Sequence, residues 1–67
     1  MINPNAIIEL DSATVETPDG VEDDVERVAV WDYDDYEDDG TTFLRMFTND
    51  GKMYVEKTAV REIQEVA

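Results

Sequence analysis

Thr42-Phe43-Leu44-Arg45-Met46-Phe47-Thr48-Asn49-Asp50-Gly51-Lys52-Met53-Tyr54-Val55 carries the clearest structural signal in this chain. Two runs rich in Thr, Val and aromatic side chains flank Asn-Asp-Gly, and Asp-Gly between such runs is the strongest short-range hairpin signal. Residues 42–48 and 52–55 therefore read as paired antiparallel strands. Gly51 takes the left-handed position of a type I turn with a bulge.

Working upstream, Ala6-Ile7-Ile8-Glu9-Leu10 follows Asn3-Pro4-Asn5, which does not favour a helix, and reads as a first strand that extends through Ala13-Thr14-Val15. Thr17-Pro18-Asp19-Gly20 is a turn, because Pro presets the second position and Gly supplies the positive φ. Val21-Glu22-Asp23-Asp24-Val25 is acidic and low in β propensity, which predicts a loop or one helical turn. Residues 26–33 read as a second strand, with Val28, Val30 and Asp32 on one face and Ala29, Trp31 and Tyr33 on the other. Residues 34–41 read as a polar connector ending in Gly40 and Thr41. Downstream of the hairpin, Ala59, Val60, Ile63 and Val66 recur at helical spacing with Thr58 placed to cap. The expected fold is α+β: one domain over residues 1–67, with a small antiparallel sheet of three or four strands and one short C-terminal helix.

Composition narrows the function classes. The 67 residues include 18 acids and 5 bases, for a formal charge of −13, with no His and no Cys. No disulfide or thiolate metal site can form, and the usual zinc ligands and the usual general base are absent. The opening Met1-Ile2-Asn3-Pro4-Asn5 has neither a basic segment nor an apolar stretch of signal type, and no apolar run approaches a membrane span; a cytoplasmic protein is expected. Nucleic-acid backbones and anionic membranes are polyanions, so this charge argues against direct binding to either.

The charge is segregated. Residues 9–39 hold 14 of the acids and one base, Arg27, whereas residues 40–67 carry four acids and four bases. Self-repulsion within such a block costs stability, so either an anionic face has a use or two acidic loops are simply solvated. High-salt adaptation is a rival account of the composition, since Asp outnumbers Glu and Lys is scarce, but it would spread acid over the whole surface.

The densest stretch is Trp31-Asp32-Tyr33-Asp34-Asp35-Tyr36-Glu37-Asp38-Asp39-Gly40. As a calcium loop beginning at Asp35 it places oxygen ligands at Asp35, Glu37 and Asp39 and glycine at Gly40, but Met46 stands where a bidentate Glu is required. Paired carboxylates can serve acid–base chemistry when one of them is desolvated, whereas acids in a polar run stay ionised. Neither a nucleophile–base pair nor a glycine-rich phosphate loop is present, so no enzyme, cofactor or metal site is expected. Rows of carboxylates can instead imitate a polyanion in a basic cleft, with aromatic side chains as anchors. Glu22, Asp23, Asp24, Asp32, Asp34, Asp35, Glu37, Asp38 and Asp39 are the candidate charges. Tyr36 and Tyr33 are the candidate anchors, and Trp31 is expected to be partly buried.

The order Ile2-Asn3-Pro4-Asn5, Ile7-Ile8-Glu9-Leu10, Phe47-Thr48-Asn49-Asp50-Gly51-Lys52-Met53-Tyr54-Val55 and Val60-Arg61-Glu62-Ile63 resembles the small FlbD-like proteins of bacteria and phages. That resemblance covers about half the chain, departs from it at the acidic insert of residues 16–40, and implies a hairpin, a strand and a short C-terminal helix. It transfers no functional residue. By composition the chain is also similar to phage-encoded DNA-mimic inhibitors, including anti-restriction and anti-CRISPR proteins. The function expected is therefore a non-enzymatic acidic inhibitor that occupies the basic surface of a nucleic-acid-binding protein, as monomer or homodimer. A small FlbD-like structural, regulatory or virion accessory domain, or a halophile-adapted domain, is the alternative.

Overall fold

Two turns of the same design set the strand register. In Thr17-Pro18-Asp19-Gly20 and again in Thr48-Asn49-Asp50-Gly51, the Thr hydroxyl donates to the Gly carbonyl at 2.8 Å and accepts the Asp backbone N–H. Each loop has two residues, with a positive-φ glycine (Gly20 +125°, Gly51 +115°) as the first residue of the returning strand. The two turns also touch. A β-carbon on Gly51 would stand 2.8 Å from Cγ of Pro18.

The computed structural model describes residues 3–66; Met1, Ile2 and Ala67 lie outside, so the Ile2 of the Asn-Pro opening is not placed. Six antiparallel strands follow: β1 (Ala6–Thr17), β2 (Gly20–Val30), β3 (Asp32–Asp38), β4 (Thr41–Thr48), β5 (Gly51–Glu56) and β6 (Val60–Glu65). They join in the order β2-β1-β5-β4-β3, with β6 also pairing with β1. The first and last strands of that path are consecutive in sequence, separated only by Trp31, so the sheet has to curl until its ends meet. Trp31 marks the bend, where its N–H donates to Phe47 O at 2.7 Å and its carbonyl accepts from Asn5 Nδ2 at 2.9 Å. Tyr33 of β3 reaches across to donate its hydroxyl to Glu65 of β6.

Inside the roll sit Ala6, Ile8, Leu10, Ala13, Val15, Val30, Leu44, Met46 and Val55, all buried, with no buried polar side chain among the described residues. On β1 the inward set changes from even to odd numbers between Leu10 and Ala13. That switch requires the register break recorded there, where Ser12 adopts φ +45°. The break lets one long strand serve two neighbours. Its first half pairs with β6, and Glu16 beyond the break pairs with Tyr54 of β5.

The fold is therefore all-β, which corrects the expected α+β class of three or four strands with a helix. Four local readings change with it. The single strand read over residues 26–33 breaks at Trp31 into the end of β2 and the start of β3. Residues 21–25 are strand rather than loop or helical turn, with Asp24 at φ +58° where β2 bulges against β1. Residues 34–38 are strand rather than connector: β3 continues to Asp38, and Asp39-Gly40, both at positive φ, form the two-residue turn into β4. The expected C-terminal helix is a single 3-10 turn, Lys57–Ala59, followed by β6. Its apparent helical period comes from another bulge. Glu62 pairs with Glu9 and Val60 with Leu10, so Arg61 is the extra residue, and Val60 and Ile63 both pack on the core three positions apart. The helix implied by the FlbD-like resemblance falls for the same reason. Strands 42–48 and 52–55 and the first strand stand as read, while the hairpin turn shortens to Asn49-Asp50 because Gly51, at positive φ, already pairs with Thr48 as the first residue of β5.

Candidate functional site

Most of the acidic block lies on the two strands that end the sheet path, with Glu9, Asp11 and Glu16 on β1 and Asp19 in the first turn. β2 carries Glu22, Asp23, Asp24 and Glu26; β3 carries Asp32, Asp34, Asp35, Glu37 and Asp38, with Asp39 in the turn, and every one is exposed. Edge strands tolerate such residues because charge there deters pairing with another chain. Acid that would weaken an interior strand is thus compatible with β2 and β3.

Not all of these carboxylates are equally available. Arg45 grips Asp34 through two parallel bonds, Nε to Oδ1 at 2.8 Å and a second nitrogen to Oδ2 at 2.6 Å, while Lys57 reaches Asp35 at 2.6 Å. The Arg45 guanidinium holds the Asp34 carboxyl below the usual range, and Asp34 in turn raises Arg45. Arg61 pairs with Asp11 at 2.8 Å, which raises the Arg61 value, and Arg27 lies 3.5 Å from Glu9. The balanced C-terminal half thus sends three of its four bases onto the acidic half. Among the described residues, Glu22, Asp24, Glu37, Asp38 and Asp39 have no ion-pair or side-chain hydrogen-bond partner. Asp23 accepts from the Thr14 hydroxyl at 3.1 Å, and Asp32 accepts the Tyr33 backbone N–H at 2.8 Å.

The two expected anchors part company. Tyr33 is half-buried against the core and its hydroxyl is engaged by Glu65, an interaction that raises its pKa. It closes the roll. Tyr36 is 38 % exposed on the outer face. Trp31 is half-buried.

Cross-strand register assembles more than the acidic stretch announced. Directly opposed residues share a face. The outer face of β3, β4 and β5 therefore carries Asp32–Phe47–Lys52, then Asp34–Arg45–Tyr54 continuing to Glu16 of β1, then Tyr36–Phe43–Glu56. The ring centroids of Tyr36 and Tyr54 are 5.4 Å apart, with planes tilted by 60°. The Arg45 guanidinium lies 5.3 Å from the Tyr36 centroid and 5.5 Å from that of Phe47, and Lys52 Nζ is 5.9 Å from Phe47. Phe43, Phe47 and Tyr54 thereby become functional candidates, although their sequence context marks them only as hairpin strand residues. A signal was present: Leu44 and Met46 already fill the inner face of β4, so aromatic residues at 43 and 47 must coat the outer one.

Glu16, Tyr36, Asp38, Phe43 and Tyr54 enclose an open notch of about 190 Å³ on this face. Among the described residues no group of three carboxylates is placed to hold a metal ion, and no helix is long and apolar enough to cross a membrane. No family model, curated protein or solved structure matches the chain.

Proposed function

We propose that the chain is a non-enzymatic binding protein of the DNA-mimic type, which docks on the basic surface of a nucleic-acid-binding protein in the host cytoplasm, as phage counter-defence proteins do. The observation that carries this reading is the placement of nine exposed carboxylates on β2 and β3, one nearly continuous length of chain. On β3, whose register runs unbroken, strand geometry spaces Asp32 and Asp34 about 6.6 Å apart along one face, and a basic cleft answers such a row with Lys and Arg. On β2 the bulge at Asp24 breaks the alternation. The unpaired acids Glu22, Asp24, Glu37, Asp38 and Asp39 supply long-range attraction. Asp34 and Asp35 contribute less, being partly neutralised by Arg45 and Lys57.

Capture from host lysate on the immobilised chain, at low and high salt, tests this. The expected partner is a basic protein whose retention falls steeply with salt and is lost when Glu22, Asp24, Glu37 and Asp38 are changed to Gln or Asn. Retention indifferent to both salt and these substitutions contradicts the proposal.

A further inference from the structure

The notch on the outer face has the composition of a cation receptor. Tyr36 and Phe43 are direct cross-strand partners, Tyr54 tilts toward Tyr36, and Glu16 and Asp38 complete the lining from β1 and β3. Aromatic faces attract cations through their quadrupole, and carboxylates at the rim add charge and hydrogen-bond acceptors. At about 190 Å³ the notch is smaller than the roughly 300–1,000 Å³ of ordinary small-molecule pockets, so it suits one side-chain head rather than a cofactor.

The same face displays the arrangement with the chain's own residues. Arg45 stacks over Tyr36 and Phe47 while Asp34 holds its guanidinium by two bonds. The notch draws on the same chemistry, with three aromatic residues and two carboxylates in its lining, in a chain of net charge −13. A planar guanidinium both stacks on rings and bonds carboxylates in the plane; an ammonium does only the second well.

We propose that the Glu16–Tyr36–Asp38–Phe43–Tyr54 notch is the specificity pocket for a single arginine side chain of the partner protein. The inference rests on the reading of a basic partner and adds the residue type that partner must present.

The test is a titration of the full chain, labelled for NMR, with N-acetyl-arginine amide, its lysine counterpart and the uncharged citrulline counterpart. The arginine compound is expected to move the Tyr36, Phe43 and Tyr54 ring resonances saturably, the lysine compound more weakly, and the citrulline compound not at all. Tyr36→Leu is expected to weaken arginine binding about fivefold, and Asp38→Asn about threefold, while signals from β6 and from residues 6–10 of β1 stay in place. Shifts that never saturate, that spread along β2, or that are equal for lysine overturn the proposal. Failure here is separable from failure of the functional reading: a partner released by the Glu22/Asp24 substitutions but unaffected by Tyr36→Leu leaves the acidic docking intact and removes only the pocket.

Discussion

Strands β4 and β5 lie inside the sheet path, whereas β2 and β3 lie at its two ends and pair along one side only. The interior pair supplies Leu44, Met46 and Val55 to the core and carries one acid, Glu56, with Arg45 and Lys52. The end pair supplies one fully buried side chain, Val30, and carries nine acids with one base, Arg27. Between these two pairs stability and charge are divided, while β1 carries both: Ala6, Ile8, Leu10, Ala13 and Val15 face the core, and Glu9, Asp11 and Glu16 lie on the same strand. An acid on β2 or β3 faces water and blunts an open edge, while the same residue facing inward on β4 would be a buried charge.

The largest effect that can break this division is a cavity. Leu44→Ala is expected to cost about 2–5 kcal/mol, a large share of the roughly 3–10 kcal/mol expected for a chain of this size, whereas Glu22→Ala stays within about 0.5 kcal/mol. Urea unfolding followed by circular dichroism measures both, and equal costs would dissolve the contrast. Next come the twin turns. Gly20→Ala and Gly51→Ala impose similar positive-φ strain, but only the second drives a β-carbon into Pro18. Gly51→Ala should therefore be the worse by about 1 kcal/mol or more, and Pro18→Ala in the same chain should recover part of the difference.

Repulsion along β2 and β3 gives a smaller effect. Raising salt from about 20 mM to 500 mM shrinks the screening length below 5 Å and should lift the melting midpoint by roughly 5 °C. A chain unfolded at the lower salt would point instead to high-salt adaptation. Smallest is the Asp34–Arg45 clamp. Because Asp34 titrates lower folded than unfolded, its contribution is present above the unfolded carboxylate value of about 3.9 and is lost as pH falls through the folded one. Acid unfolding of Asp34→Asn should accordingly show a shallower loss below pH 4 than the parent chain.

What could be read from the sequence follows the same division. The interior hairpin was legible because Phe, Met, Val and Tyr around Asn-Asp-Gly satisfy propensity and turn chemistry together. The end strands were not, because Val21-Glu22-Asp23-Asp24-Val25 and residues 34–38 contradict β propensity, and tertiary pairing on one edge overrides it. The last strand was hidden by a bulge at Arg61 that imitates a helical period in Val60 and Ile63. The acids of the candidate surface stood out at once, since charge is visible in any conformation. The Phe43, Phe47 and Tyr54 side of it did not, because it exists only once register lays β3, β4 and β5 side by side.

Duplex DNA should compete with the chain for the captured basic partner. If the β2–β3 acids and the aromatic face occupy a nucleic-acid cleft, the chain and the duplex exclude one another, and rising duplex releases the chain completely. A stable complex holding partner, chain and duplex together would contradict the account.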